Sequence, residues 1–144
     1  MNSAPYFLYP EIQITMDKIL VIEDKPDLRE NTMEILELAG YLVLTAADGM
    51  EGIAMAIEHL PALILCDVKM PLASGYEVFK RLKAHPTTSN IPFVFFTSSV
   101  EKREVQIATD LGANGYVCKP FEVSELLNII ERCLGESHAK FSEK

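Results

Sequence analysis

Residues 62–75 read ALILCDVKMPLASG. The first five are apolar without any polar alternation, the pattern of a strand covered on both faces, as in a parallel sheet flanked by crossover helices. The run then delivers one carboxylate, Asp67, into a loop punctuated by Pro71 and Gly75. In open α/β sheets, ligands and chemistry collect beyond the carboxyl ends of the strands, so Asp67 stands where a reactive group would. Taken alone it reads more readily as a helix N-cap or a turn residue than as a reactive group. Acids at equivalent points elsewhere in the chain favour the first reading.

Upstream, Lys18 to Ile22 (KILVI) is a second buried strand, ending in Glu23 and Asp24. Pro26 suits the first turn of a helix whose buried stripe is Leu28, Thr32, Ile35, Leu36 and Ala39, with Gly40 as its cap. Tyr41 to Ala46 is a strand, Asp48-Gly49 a turn, and Ile53, Ala54, Ile57 and Leu60 mark a helix stopped by Pro61. Downstream, Val78, Phe79 and Leu82 stripe a helix ending near His85-Pro86. The strand Ile91 to Phe96 follows, with Thr97, Ser98 and Ser99 at its carboxyl end. Val105, Ala108 and Leu111 stripe the next helix, ended by Gly112. A short edge strand, Gly115 to Cys118, runs into Lys119-Pro120, and Leu126 to Leu134 form a last helix that Gly135 stops. Five strands alternating with five helices make a doubly wound α/β domain over residues 18–135. Residues 1–17 form a flexible extension with no core-forming period, and residues 136–144 a polar, frayed tail.

The chain of 144 residues carries a net charge of -8 with no cluster of Lys or Arg, which argues against nucleic-acid binding. No apolar run approaches the ~20 residues of a membrane span, and the first fifteen residues lack a secretory pattern, so a cytoplasmic location is expected. Cys66, Cys118 and Cys133 lack zinc-ligand spacing and read as reduced packing residues; His59, His85 and His138 read as surface residues.

The strand ends together supply Glu23, Asp24, Asp67, Thr97 and Lys119. Two like charges ~4 Å apart repel by ~4 kcal/mol at an effective dielectric near 20, so three carboxylates need more counter-charge than one Lys. Hard oxygen donors select Mg²⁺ over zinc.

Glu23-Asp24 after an apolar strand, Asp67 followed by Met70-Pro71 and Gly75, Thr97 after IPFVFF, and Lys119-Pro120 after Tyr116 resemble the receiver domain of two-component response regulators, in its chemotaxis-regulator-like single-domain form. The resemblance implies a flavodoxin-like, five-stranded parallel sheet of order 2-1-3-4-5 with five helices. It implies that Asp67 accepts a phosphoryl group from a sensor histidine kinase or a histidine phosphotransfer protein. Asp24, Asp67 and the carbonyl of Lys69 would bind Mg²⁺, with Glu23 acting through water. Lys119 would pair with the phosphoryl oxygens and precede a cis peptide bond. Thr97 and Tyr116 would form the switch, altering the surface of helix four, strand five and helix five for a downstream effector protein or a phosphorylation-dependent homodimer. Lys69 and Ser99 flank the expected path of hydrolytic water without a carboxylate or amide, so the phosphoryl group should be long-lived. Since the sequence stops near the last helix, a stand-alone switch is expected. The alternatives are a receiver-shaped scaffold and a metal-dependent phosphohydrolase, the latter weakened by Lys69 where a second Asp would stand.

Overall fold

A computed structural model describes residues 17–98 and 102–142. Five strands, β1 (Lys18–Ile22), β2 (Leu42–Ala46), β3 (Leu63–Cys66), β4 (Phe93–Thr97) and β5 (Gly115–Cys118), alternate with five helices. These are α1 (Pro26–Leu38), α2 (Gly49–His59), α3 (Gly75–Ala84), α4 (Lys102–Leu111) and α5 (Val123–Ser142). All strand pairs are parallel and the order is β2-β1-β3-β4-β5, as the resemblance implied.

The apolar strands divide their side chains by the period of two. Leu20, Ile22, Ile64, Cys66, Phe93 and Phe95 face Ala56 of α2, Val78, Phe79 and Leu82 of α3, and Ala108 of α4. Ile19, Val21, Leu63, Leu65, Val94, Phe96 and Val117 face Leu36 of α1 and Leu126, Ile130, Cys133 and Leu134 of α5. Covering both faces leaves the strand ends as the place where polar groups can gather without breaking the core.

Local signals set the helix limits. Pro26 opens α1, and Gly40, at φ 99°, follows its end. Ser74 and Glu77 form a reciprocal capping box that fixes the start of α3. Gly75 is required there by contact: a Cβ on it would lie 2.2 Å from the Asp67 carbonyl oxygen. Thus α3 begins directly against the backbone of Asp67.

One expected boundary is corrected. Helix α5 does not stop at Gly135 but continues to Ser142, so residues 136–142 are helical rather than a frayed tail. Glycine ends a helix by taking a left-handed conformation. Gly40 and Gly112 do so, at φ 99° and 93°, and Gly135 does not. The expected extension at residues 1–16 lies outside the described residues. Asp17, its last residue, accepts the Leu42 amide on its carbonyl at 3.1 Å and pairs its carboxylate with His138 of α5 at 3.6 Å.

A Cβ at Gly135 would meet no atom within 4 Å. Gly135→Ala should therefore stabilise the chain by about 0.5–1 kcal/mol, a Tm rise of about 3 °C in a thermal melt. Gly75→Ala should lower Tm, because the clash is with backbone.

Candidate functional site

β1 and β3 are neighbours paired in register up to Ile22 and Cys66, so the residues that follow each of them emerge side by side. Carboxylate oxygens of Glu23, Asp24 and Asp67 lie within 4.8 Å of one another. Glu23 is fully buried and Asp67 is 4% exposed. The three acids singled out from the sequence thus form one cluster, and Lys119 reaches it from the end of β5. Its Nζ lies 2.6 Å from Glu23 Oε1 and 3.5 Å from Asp67 Oδ1, and 4.5 Å from the centre of the Phe96 ring. The Lys119-Pro120 bond is cis.

Backbone groups complete the fixation. The Val68 amide donates to Asp67 Oδ1 at 2.8 Å, and the Lys25 amide to Glu23 Oε2 at 3.1 Å. Arg29 donates to the Glu23 carbonyl at 2.9 Å, which ties the first turn of α1 to the end of β1. Cys66 Sγ donates to the Asp67 carbonyl at 3.2 Å. Burial pushes the Asp67 carboxyl above its ordinary value of 3.8, against the pull of Lys119 and the Val68 amide. Burial likewise raises Glu23, against its bonds from Lys119 and Lys25. The Cys66 thiol is pushed well up by burial and by the adjacent carboxylates, so it stays a neutral packing group.

Asp24 differs from its neighbours. Its Oδ1 is buried without a hydrogen-bond partner. A buried carboxylate oxygen left unpaired is costly, and a cation is the partner that would satisfy it beside two further acids. The donor set is all hard oxygen, which fits Mg²⁺.

Thr97 closes β4 in a buried position, 1% exposed. Tyr116 of β5 is half-buried and packs on the face covered by α2, α3 and α4. Lys69 is exposed in the loop after Asp67. Ser99, expected to flank the hydrolytic water, lies outside the described residues. The cysteines are free, with Cys66 and Cys133 buried. None of the three histidines joins the acid cluster among the described residues. The sequence did not disclose two further contacts: Arg29 on Glu23, and the hydrogen bond from Tyr76 of α3 to Glu104 of α4.

The profile of the family described as "Response regulator receiver domain" matches residues 19–131. The chain belongs to that family. It is thus a phosphoacceptor signalling domain of two-component systems rather than a typical enzyme. It is 37% identical over 112 residues to the DNA-binding dual master transcriptional regulator RpaA of Synechocystis sp., a match covering 78% of this chain and 46% of that protein. Indeed, the chain spans about half the length of the first curated relatives it matches. Among solved structures, the chemotaxis response regulator CheY4 of Vibrio cholerae is similar at 33% identity and a TM-score of 0.77, covering 83% of this chain and 99% of that one. The receiver domain of the sensor histidine kinase PA1611 from Pseudomonas aeruginosa, solved with a magnesium ion coordinated in its active site cleft, is similar at 27% identity and a TM-score of 0.78, covering 84% and 99%. Among the described residues, no helix is long and apolar enough to cross a membrane.

Ionised Asp67 is paid for by the fold, so in magnesium-free buffer Asp67→Asn should raise Tm by about 3 °C at pH 7. The folded chain holds this proton more tightly than the unfolded chain. Stability therefore falls as pH rises from the unfolded value, near 3.8, through the raised folded value. The gain from the substitution should be smallest near pH 4 and full at neutral pH; equal gains at both would contradict this account.

Proposed function

We propose that Asp67 accepts a phosphoryl group from a phosphohistidine on a sensor histidine kinase or a histidine phosphotransfer protein. The observation that carries this reading is the buried carboxylate cluster with the Lys119 ammonium 3.5 Å from Asp67 Oδ1. A carboxylate oxygen of Asp67 forms the new O–P bond as the N–P bond of the donor breaks, and the imidazole leaves with that electron pair. The Val68 amide fixes the plane of the attacking carboxylate. Lys119, already bridging Glu23 and Asp67, faces the charge that develops on the transferring oxygens.

The side chains of Asp24 and Asp67 and the carbonyl of Lys69 would hold Mg²⁺, with Glu23 contributing through water. When bound, the ion supplies positive charge to the phosphoryl oxygens beyond what one Lys provides. The orphaned oxygen of Asp24 supports that assignment, and the magnesium named in the PA1611 receiver is in keeping with it.

The acyl phosphate adds negative charge and acceptor oxygens beside Thr97, whose hydroxyl turns to it, and Tyr116 follows inward. The output is a population shift of the surface made by α4, β5 and α5. That surface would bind an effector protein, an attached output region or a second copy of the chain, in the cytoplasm. A net charge of -8 favours protein over nucleic acid as the direct contact of this domain. With Lys69 two residues after the acceptor and Ser99 two residues after Thr97 in the sequence, neither position offers a carboxylate or an amide to the hydrolytic water, so self-dephosphorylation is slow.

Incubation with acetyl phosphate tests this. Labelling should require Mg²⁺ and vanish in Asp67→Asn, and the label should persist for minutes or longer after donor removal. Magnesium-independent labelling, or its retention in Asp67→Asn, would move the acceptor elsewhere. No labelling at all would leave a receiver-shaped scaffold.

A further inference from the structure

The Tyr76 hydroxyl donates to the Glu104 carboxylate across 28 residues, joining α3 to the first turn of α4. Tyr76 directly follows Gly75, the residue packed against the Asp67 carbonyl, and its ring meets Phe95 of β4 edge-on at 5.3 Å. The capping box at Ser74 holds the same turn of α3. One end of the bond is therefore anchored both to the phosphoacceptor loop and to the core. The other end lies on a weakly anchored helix: among the described residues of α4, only Ala108 is fully buried, whereas α5 buries Leu126, Ile130, Cys133 and Leu134.

We infer that Tyr76 and Glu104 are positioning residues of the switch: their hydrogen bond holds α4 in its unphosphorylated place and breaks when Asp67 is phosphorylated. The inference rests on the phosphoacceptor reading of Asp67.

Three observations support it. A tyrosine hydroxyl on a carboxylate is a charge-assisted bond with a narrow range of distance, so a small relative movement of its ends breaks it. Burial and Glu104 push the Tyr76 phenol far up, and the nearby Tyr116 adds to this, so the phenol remains a donor at any physiological pH. The bond borders an open groove of about 560 Å³ between the loop after Asp67 and α4, lined by Met70, Pro71, Tyr76 and Glu104, so it lies beside open space rather than within packed core. Recruiting Thr97 to the phosphoryl group draws in the strand end that leads to α4, while Gly75 and the capping box keep Tyr76 in place. The two ends of the bond are thereby pulled apart.

Tyr76→Phe keeps the ring contact with Phe95 and removes only the donor. Glu104→Ala removes the acceptor, and Glu104→Gln restores a neutral one. The readout is amide hydrogen exchange of residues 102–111 in the full chain with Mg²⁺, with and without beryllofluoride, a tetrahedral stand-in for the phosphoryl group. In the wild type, beryllofluoride should speed α4 exchange about fivefold. Tyr76→Phe and Glu104→Ala should exchange at that faster level without it and change little on its addition, with Glu104→Gln in between. Acetyl phosphate labelling should be about threefold faster in the first two, because less restraint opposes the phosphorylated conformation. Exchange in Tyr76→Phe equal to wild type in both states would overturn the inference. So would a wild type that labels at Asp67 while α4 exchange stays unchanged. Failure to label any variant would instead remove the phosphoacceptor reading, with the exchange of the unliganded variants still reporting the bond itself.

Discussion

Three carboxylates within 4.8 Å, two of them almost out of water, set the terms for the rest of the structure. Mutual repulsion and lost hydration both oppose their ionisation, so the fold must hold them by other means. It does so with the parallel pairing of β1 and β3, whose matched register makes the acids emerge together whatever their electrostatic preference. Lys119 then neutralises part of the charge from the far edge of the sheet, and the Lys25 and Val68 amides bind one oxygen each of Glu23 and Asp67. The sheet is thus a clamp, and local stability is lost in holding together three acids that, under the proposed function, take a cation and a phosphoryl group.

The clamp has a stiff side and a loose one. Phe79, Phe93 and Phe95 pack on one another, two of the three pairs edge-on, and Tyr76 extends the group to the start of α3. Edge-to-face rings of this kind fix relative orientation as well as burying area. On the opposite face α5 is seated by four fully or nearly buried side chains. Among the described residues, helix α4 has no comparable anchor, and a small alanine is the most buried of its side chains. Small core contacts mean a low free energy of local opening. A signal generated at Asp67 would therefore be expressed where resistance is least, along α4.

Apolar runs ending in acids made the strands, the helices and the acid cluster legible in the sequence, because burial on both faces and the strand-end position are each properties of a few consecutive residues. Glu23, Asp24 and Asp67 were visible in that way, and Thr97 and Lys119 as polar residues at two further strand ends, whose roles belong to the proposed function. What was hidden depends on partners distant in the chain. Periodicity could mark Tyr76 and Glu104 as belonging to helices, but not that the two helices bring them together. Nor could it show that Lys119 rests chiefly on Glu23, at 2.6 Å, with Asp67 as the more distant partner. Gly135 misled for a different reason. Glycine is compatible with both a helix interior and a left-handed cap, and the residue itself does not say which packing surrounds it.

The sharing of Lys119 explains why a change at one carboxylate would travel. Its ammonium sits between two acids and over the face of Phe96, a position set by competing attractions in which Glu23, at 2.6 Å, holds the larger share and Asp67, at 3.5 Å, the smaller. Under the proposed function, phosphorylation adds charge on the Asp67 side of that balance, so Lys119 is drawn away from Glu23 and the end of β5 moves with it. Thr97, at the end of β4, is drawn toward the same centre. The backbones of β4 and β5 are paired up to these very ends, Thr97 against Cys118, and the Lys119 amide donates to the Thr97 carbonyl at 2.8 Å. Both strand ends must shift as a pair, and α4 is the element that connects them. Its displacement then follows from the connectivity of the sheet, with the bond between Tyr76 and Glu104 setting how much charge at Asp67 is needed to release it.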